Sequence, residues 1–157
     1  MTGVRIVRLT ADEADRLRRI RLAALTEAPE AFGSSYAETA ARPLATWHKQ
    51  LIDLATFLAV RDGRDIGMVR GAPSSEEPSA AELLSMWVEP SERGRGVGEA
   101  LVRAVETWAR DEGFSRLLLE VYAENVPARR LYARMGFVAT GRHGGAEFAL
   151  DLDPADD

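Results

Sequence analysis

Residues 83–98 read LLSMWVEPSERGRGVG, which is an apolar run of strand length, a short polar loop and a turn with alternating glycines. A helix is predicted to begin directly after that turn. The first N–H groups of a helix have no internal partner, and the helix dipole favours negative charge there. Gly94, Gly96 and Gly98 would let a pyrophosphate approach the backbone, while Arg93 and Arg95 add positive charge. The stretch therefore predicts a strand, an anion-binding turn and a helix.

The glycine turn is only moderately specific when taken alone, because an ordinary glycine loop would also explain it. It is not a Walker phosphate loop, since no Gly-Lys-Ser/Thr follows. A dinucleotide-binding fingerprint needs a longer glycine spacing and a parallel βαβ unit, usually early in its domain.

A second informative stretch, residues 119–137, reads LEVYAENVPARRLYARMGF. It places Asn125 at the end of a predicted strand, and Tyr132 follows seven residues later. Seven residues are about two helical turns, so the two side chains are predicted to share one side of the following helix.

The remaining sequence predicts one domain over residues 1–157, with residues 151–157 as an acidic, frayed tail. Strands are predicted at residues 4–8, 56–61, 66–71, 83–88, 116–121, 137–140 and 146–150. A capping box formed by Thr10 and Glu13 predicts a helix ending near Glu27. Further helices are predicted at about 44–54, 97–113 and 128–135. Residues 31–42 are predicted to be irregular and residues 72–80 to form an exposed connector. The order β-α-α-β-β-β-α-β-α-β-β indicates an α/β domain with helices packed on a mixed sheet.

The composition limits the classes of function. The chain has 157 residues, 46% apolar and 29% charged, as in ordinary soluble proteins, and no apolar run approaches a membrane span. No basic segment leads into an apolar stretch at the start, so we expect no secretory signal, no membrane association and a cytoplasmic protein.

Cysteine is absent and histidine occurs only at His48 and His143. Disulfides, thiolate zinc sites and a cysteine nucleophile are therefore excluded, no metal site is expected, and both histidines are predicted to lie on the surface or in loops. The net charge of −5 argues against nucleic-acid binding and weakly favours a cationic acceptor.

The two stretches resemble the GNAT acetyltransferase superfamily. Its Gln/Arg-x-x-Gly-x-Gly/Ala signature is matched by Arg93, Gly96 and Gly98. The pattern Asn-x-x-Ala-x-x-x-Tyr-x-x-x-Gly-Phe is matched by Asn125, Ala128, Tyr132, Gly136 and Phe137. The resemblance implies a mostly antiparallel sheet of about seven strands flanked by about four helices, and acetyl-CoA as the acetyl donor.

The resemblance also implies how acetyl-CoA would be held. In such proteins the strand before the glycine turn is bulged and splays from the next strand, and the pantetheine arm pairs with its backbone. Here that role falls on Met86, Trp87 and Val88. The pyrophosphate would be bound by the backbone of the glycine turn, which comprises Arg93, Gly94, Arg95, Gly96, Val97 and Gly98. Asn125 would bond the pantetheine, and Ala128 would allow the cofactor to pass close to the helix.

The implied chemistry is direct attack of an amine on the thioester. The N–H of Val88 or Trp87 would polarise the carbonyl, and Tyr132 would protonate the departing thiolate; the alternative for Tyr132 is a packing role. Family members that acetylate protein lysine carry a glutamate at the position of Leu84, which argues against a histone-type mechanism. Glu82 is the predicted base, with Glu120, Glu38 and a water chain as alternatives.

Specificity for the acceptor is expected from residues 31–47, with Phe32, Tyr36 and Trp47 as wall residues or, alternatively, as core. The first prediction is a small-molecule primary amine. A protein or peptide N-terminus and an acyl-CoA sensor without turnover are the alternatives. Homodimers are common among such proteins, but the residues do not establish one here.

Overall fold

A computed structural model of the chain describes residues 3–29 and 35–152. Seven strands form one sheet in the order β1-β2-β3-β4-β5-β7-β6. The strands are β1 Arg5–Arg8, β2 Ala55–Arg61, β3 Arg64–Pro73, β4 Ala80–Val88, β5 Arg116–Glu120, β6 Val138–Ala139 and β7 Glu147–Asp151. The helices in these ranges are α1 Ala14–Glu27, α2 Tyr36–Ala40, α3 Leu44–Asp53, α4 Val97–Asp111 and α5 Val126–Arg134.

Every pair of neighbouring strands is antiparallel except β4 and β5, which run parallel. The predicted mixed, mostly antiparallel sheet of seven strands is therefore confirmed. The parallel pair is short: it joins only Ala80, Ala81 and Glu82 to Arg116, Leu117 and Leu118.

The helices cover both faces of the sheet. On one face, α4 packs against β3, where an added Cβ at Gly71 would lie 2.6 Å from the Trp108 ring. On the other face, α1 and α3 pack against β2, β3 and β4, with Leu17, Trp47 and Met68 fully buried between them. Trp47 is thus a core residue and not part of a substrate wall.

The helices differ from the prediction in two places. Residues 36–40 form α2, where irregular chain was expected, because the Ser35 hydroxyl accepts a hydrogen bond from the Glu38 N–H at 3.1 Å. Helix α1 begins at Ala14, because only half of the expected capping box forms. The Glu13 carboxylate accepts from the Thr10 N–H at 3.0 Å, whereas the Thr10 hydroxyl donates to carboxylates and does not cap the helix.

The hairpin between β2 and β3 turns at Asp62 and Gly63, both with positive φ, as the sequence predicts. Strands β3 and β4 extend further than expected, so the connector shortens to residues 74–79. No helix within residues 3–29 and 35–152 is long and apolar enough to span a membrane. Phe32 and the end of the predicted tail, residues 153–157, lie outside the described residues.

Candidate functional site

A β-bulge interrupts β4 at the point where the chain approaches the glycine turn. Met68 of β3 pairs with Trp87 and Arg70 pairs with Leu84, so β4 carries one residue more than β3 between these pairs. Ser85, inside this bulge, has φ +57°. Bulges bend a strand and raise its twist, so β4 turns away from β5 here.

The two parallel strands separate beyond the Glu82–Leu118 pair and open a cleft of about 440 Å³. Residues 83–85 of β4 line one side of it and residues 118–122 line the other. Beyond Glu82 no residue of β4 pairs with β5, so the facing edges offer backbone groups to which an extended ligand could add as a strand does.

The glycine turn lies between β4 and α4. Gly94 and Gly96 have φ of +75° and +84°, a conformation that side chains disfavour, and Gly96 immediately precedes the helix. Within the described residues, no oxygen accepts from the N–H groups of Val97, Gly98 or Glu99. Amides without an acceptor at the N-terminus of a helix can bind an anion.

Gly98 is a glycine for a different reason. It lies in the first turn of α4, and an added Cβ would be 3.1 Å from Cδ2 of Leu131 on α5. The absence of a side chain therefore allows α4 and α5 to approach each other. The sequence predicted that Gly98 lets a pyrophosphate approach the backbone, and the contact between α4 and α5 is a second reason for a glycine here.

Arg93 anchors the turn to its surroundings. Its Nε donates to the Val88 carbonyl at 2.8 Å, and its Nη2 lies 2.6 Å from the Glu27 carboxylate. Glu27 also accepts from Trp87 Nε1 at 2.9 Å. These two partners, Trp87 first, hold the pKa of Glu27 below its ordinary value. Arg95 is more exposed, and its Nη1 is 3.5 Å from the Glu92 carboxylate.

The backbone segment expected to hold pantetheine is fixed by its side chains. Trp87 is buried against the core beneath α1 and α3, whereas Met86 and Val88 are half-buried and pack beside α4. The clasp formed by Glu27, Trp87 and Arg93 joins the end of α1 to β4 and the turn. The sequence did not indicate Glu27, because 60 and 66 residues separate it from its partners.

Asn125 and Tyr132 lie at the two ends of α5. Asn125 is the N-cap: its Oδ1 accepts from the N–H of Ala128 at 3.2 Å, which leaves its amide nitrogen able to donate. Tyr132 is 5% exposed and packs edge-on against Phe137, with 5.6 Å between ring centroids. Its hydroxyl has no hydrogen-bond partner in the described residues, and burial raises its pKa to about 12.

Carboxylates line the cleft. Glu82 is one of them, and it accepts from the Ser74 hydroxyl at 3.2 Å. Glu120 lies on the facing strand, whereas Glu38 is on α2 and does not line the cleft. The structure thus brings two of the three candidate bases to the cleft.

His143 also lines the cleft, although the sequence predicted an uninvolved surface or loop histidine. Its Nε2 lies 3.2 Å from the Glu76 carboxylate and its Nδ1 lies 3.2 Å from that of Glu120. The residue lies in the loop between β6 and β7, and no local pattern connects it with residues 76 and 120.

Comparison with known proteins shows a match over residues 17–137 to the family described as acetyltransferase (GNAT). N-acetyltransferase 8B of Rattus norvegicus is 37% identical over 50% of this chain and 36% of its own length. Mycothiol acetyltransferase of Cellulomonas flavigena is 34% identical over 82% of this chain and 38% of its length. N-acetylaspartate synthetase of Homo sapiens is 39% identical over 57% of this chain and 28% of its own length. The chain spans well under half the length of these curated relatives.

Solved structures show a similar fold. PaiA N-acetyltransferase from Thermoplasma acidophilum, in complex with coenzyme A, aligns with a TM-score of 0.75 at 16% identity, covering 96% of this chain and 99% of that one. A GNAT-family acetyltransferase from Streptococcus pneumoniae aligns with a TM-score of 0.77 at 19% identity, covering 96% and 100%.

Proposed function

The chain belongs to the GNAT acetyltransferase family, and from this we propose that it transfers an acetyl group from acetyl-CoA to a primary amine of a small molecule. One observation carries the proposal: β4, which borders the cleft at residues 83–85, continues to a turn whose helix amides, Val97 to Glu99, have no acceptor in the described residues. An extended ligand with a phosphate group fits this combination of strand edge and anion site.

The residues divide the binding of acetyl-CoA among them. The backbone of Met86, Trp87 and Val88 would pair with the pantetheine arm, and the amides from Arg93 to Gly98 would bind the pyrophosphate. The Asn125 amide nitrogen has its hydrogens available because only Oδ1 caps α5. Ala128 presents a small side chain beside it.

In the reaction, the amine nitrogen forms a bond to the acetyl carbon while the carbon–sulfur bond breaks. The N–H of Val88 or Trp87 would stabilise the carbonyl oxygen as negative charge develops. Tyr132 would donate its proton to the departing thiolate, and its phenolate would take up the proton that the nitrogen loses as the amide forms. A phenol with a pKa of about 12 stays protonated at neutral pH, so the donor form is the populated one.

An acceptor ammonium group must lose a proton before it attacks. We propose Glu82 for this step, because its carboxylate lines the cleft and its one described side-chain contact is to the neutral Ser74 hydroxyl. Leu84 occupies the position of the glutamate used on protein lysine, and it offers no proton acceptor. A water chain that passes the proton to Glu120 and His143 is the competing route.

A small-molecule acceptor is supported by the names of two relatives, mycothiol acetyltransferase and N-acetylaspartate synthetase, which refer to small molecules. The cleft itself is compact, at about 440 Å³. Pockets of this size are typical of sites for small ligands.

The experiment is acetyl-CoA binding by calorimetry, followed in the same preparation by thiol release across a panel of small amines and N-terminal peptides. Binding with release on small amines is the expected result. Release on peptides alone would favour N-terminal acetylation, and binding without release on either class would favour a sensor. Absence of binding would contradict the proposal.

A further inference from the structure

Arg70 is a buried cation beside the cleft that the proposed chemistry does not use. It lies on β3 beneath α1 and α3 and is 8% exposed. Its Nε and Nη2 donate to the Ser85 hydroxyl at 3.1 and 2.9 Å, and its Nη1 donates to Gln50 Oε1 at 2.8 Å. These contacts occupy three of the five N–H groups of a guanidinium.

The partners of Arg70 are neutral, and no carboxylate forms an ion pair with it within residues 3–29 and 35–152. The two charged side chains that act on it most directly, Arg21 and Arg42, have the same sign as Arg70. Burial, followed by the proximity of Arg21 and Arg42, lowers the pKa of Arg70 to about 9. Arg21 and Arg42 make further contacts of their own.

A buried charge without a counter-charge is unfavourable. Charged groups in protein interiors are normally paired, and leaving one without an opposite charge weakens the fold. Arg70 has no such partner in the described residues, and two of its N–H groups remain for one. An anion brought by a ligand would supply both the missing charge and the missing acceptors.

Arg70 is connected with the cleft through Ser85. Its partner Ser85 lines the cleft from inside the bulge, and Arg70 itself pairs across the sheet with Leu84. The rest of the cleft is acidic, with Glu76, Glu82, Glu120 and Glu147 in its lining. A cation next to an acidic wall matches a molecule that carries both a carboxylate and an ammonium group.

We propose that the acceptor is an amino-acid-like amine, and that Arg70 binds its carboxylate while its ammonium group faces the carboxylates of the cleft. This inference rests on the acetyl transfer proposed above and specifies its substrate class. The competing explanation is that Arg70 only ties β3 to the bulge and to α3.

The first test uses matched acceptors with the unaltered protein. Phenylalanine, aspartate and serine are each compared with their α-carboxamide and with the amine that lacks the α-carboxylate, by thiol release from acetyl-CoA; phosphoethanolamine is added as an amine with a different anion. We expect kcat/KM for at least one acid to exceed that of its amide by at least about 30-fold, which is about 2 kcal/mol at 1.36 kcal/mol per tenfold.

The second test assigns the preference to Arg70. Arg70→Gln should reduce the ratio of acid to amide to about one, mainly through KM, and Arg70→Lys should restore part of it. The control is Arg103→Gln, which removes an exposed arginine of α4 paired with Glu99 and should leave the ratio unchanged. Acetyl-CoA affinity should be the same in all of these proteins, and this also shows that each has folded.

Several results would overturn the inference while leaving acetyl transfer intact. These are equal rates on acids and amides, a preference for phosphoethanolamine, a preference that persists in Arg70→Gln, or acetyl-CoA binding with no acid acetylated. If Arg70→Gln fails to fold, Arg70→Lys and the matched acceptors still show whether Arg70 binds the acceptor carboxylate. Failure of the unaltered protein to bind acetyl-CoA would instead contradict the proposed function.

Discussion

Tyr132 combines a buried ring with a hydroxyl that has no partner in the described residues. Tyr132→Phe keeps the packing against Phe137 and removes only the proton donor. We expect kcat to fall by more than about tenfold with acetyl-CoA affinity unchanged, since positioned acids contribute about 10²–10⁴-fold. Stopped-flow acetyl transfer and calorimetry measure the two quantities. The control is Arg103→Gln, which alters an exposed side chain of α4; unchanged kcat in Tyr132→Phe would remove Tyr132 from the acid role.

Glu82 is tested by Glu82→Gln, with Glu120→Gln as the matched alternative. If Glu82 is the base, its variant should lose at least about tenfold in kcat/KM at pH 7. The loss should shrink as the pH rises through the pKa of the acceptor, because a neutral amine needs no base. Pre-steady-state rates between pH 7 and 10 measure this. A loss confined to Glu120→Gln would assign the proton to the route through His143.

Single residues differ in how far the sequence reveals them. Asn125 and Tyr132 were assigned to one helix from their spacing of seven residues, and both belong to α5, Asn125 as its N-cap. Arg70 and His143 could not be assigned from spacing, since each lies beside the cleft through contacts made across the sheet or between loops. The sequence left two interpretations of Trp47, a wall of the acceptor site or the core. Its full burial beneath α1 shows that it belongs to the core.

Among the elements, the glycine turn has a backbone conformation that residues with a side chain disfavour. Gly96→Ala adds no clash, because an added Cβ meets nothing within 4 Å, but φ of +84° costs an L-residue about 1–2 kcal/mol. We expect the turn to shift and the Kd for acetyl-CoA to rise at least about tenfold. Gly113→Ala, at φ +87° behind α4, is the control and should cost similar stability without changing Kd. Equal Kd values for both variants and the unaltered protein would argue against the turn as the phosphate site.

The clasp of Glu27, Trp87 and Arg93 makes the free energy of unfolding depend on pH. The pKa of Glu27 lies below its ordinary 4.5, so its contribution to stability is present above that pH and is lost as the pH falls through the lowered pKa. Glu27→Gln should reduce the free energy of unfolding by about 1 kcal/mol at pH 7. Urea unfolding at pH 7 and pH 3 should show this difference disappearing at the lower pH. A difference that stays constant would mean that the carboxylate charge is not involved.

The pattern of elements was largely predictable. The positions of the strands along the chain, the Asp62-Gly63 turn and the helical spacing of Val97, Leu101 and Val105 are properties of the local sequence. Helix α2 was missed although Ser35 and Glu38 have the spacing of a capping pair. The beginning of α1 was misplaced because the Thr10 hydroxyl has nearby carboxylates that compete for it, which the capping pattern does not reveal.

For the whole molecule, the sheet is two parts joined by β4 and β5 through three residue pairs. A ligand that lies between these strands would bridge the parts. We expect saturating acetyl-CoA, at about 100 times Kd, to raise the free energy of unfolding by about 2.7 kcal/mol. Among amides that exchange by local opening, hydrogen exchange should slow at residues 83–88 and 94–99 and remain unchanged in β1. Equal slowing of locally exchanging amides in all strands would contradict binding in the cleft.

The short parallel contact also makes the sheet a lever. Residues 80–82 of β4 are the fulcrum, and the strand continues to Val88 over six more residues, about 20 Å at the rise of a β-strand. A rotation of about 5° at the fulcrum would move the far end by about 2 Å, when a misplacement of about 1 Å can already cost about 10²-fold in rate. We therefore expect the small residues Ala80 and Ala149, packed there against Leu118, to set the width of the cleft in which acetyl transfer is proposed to occur.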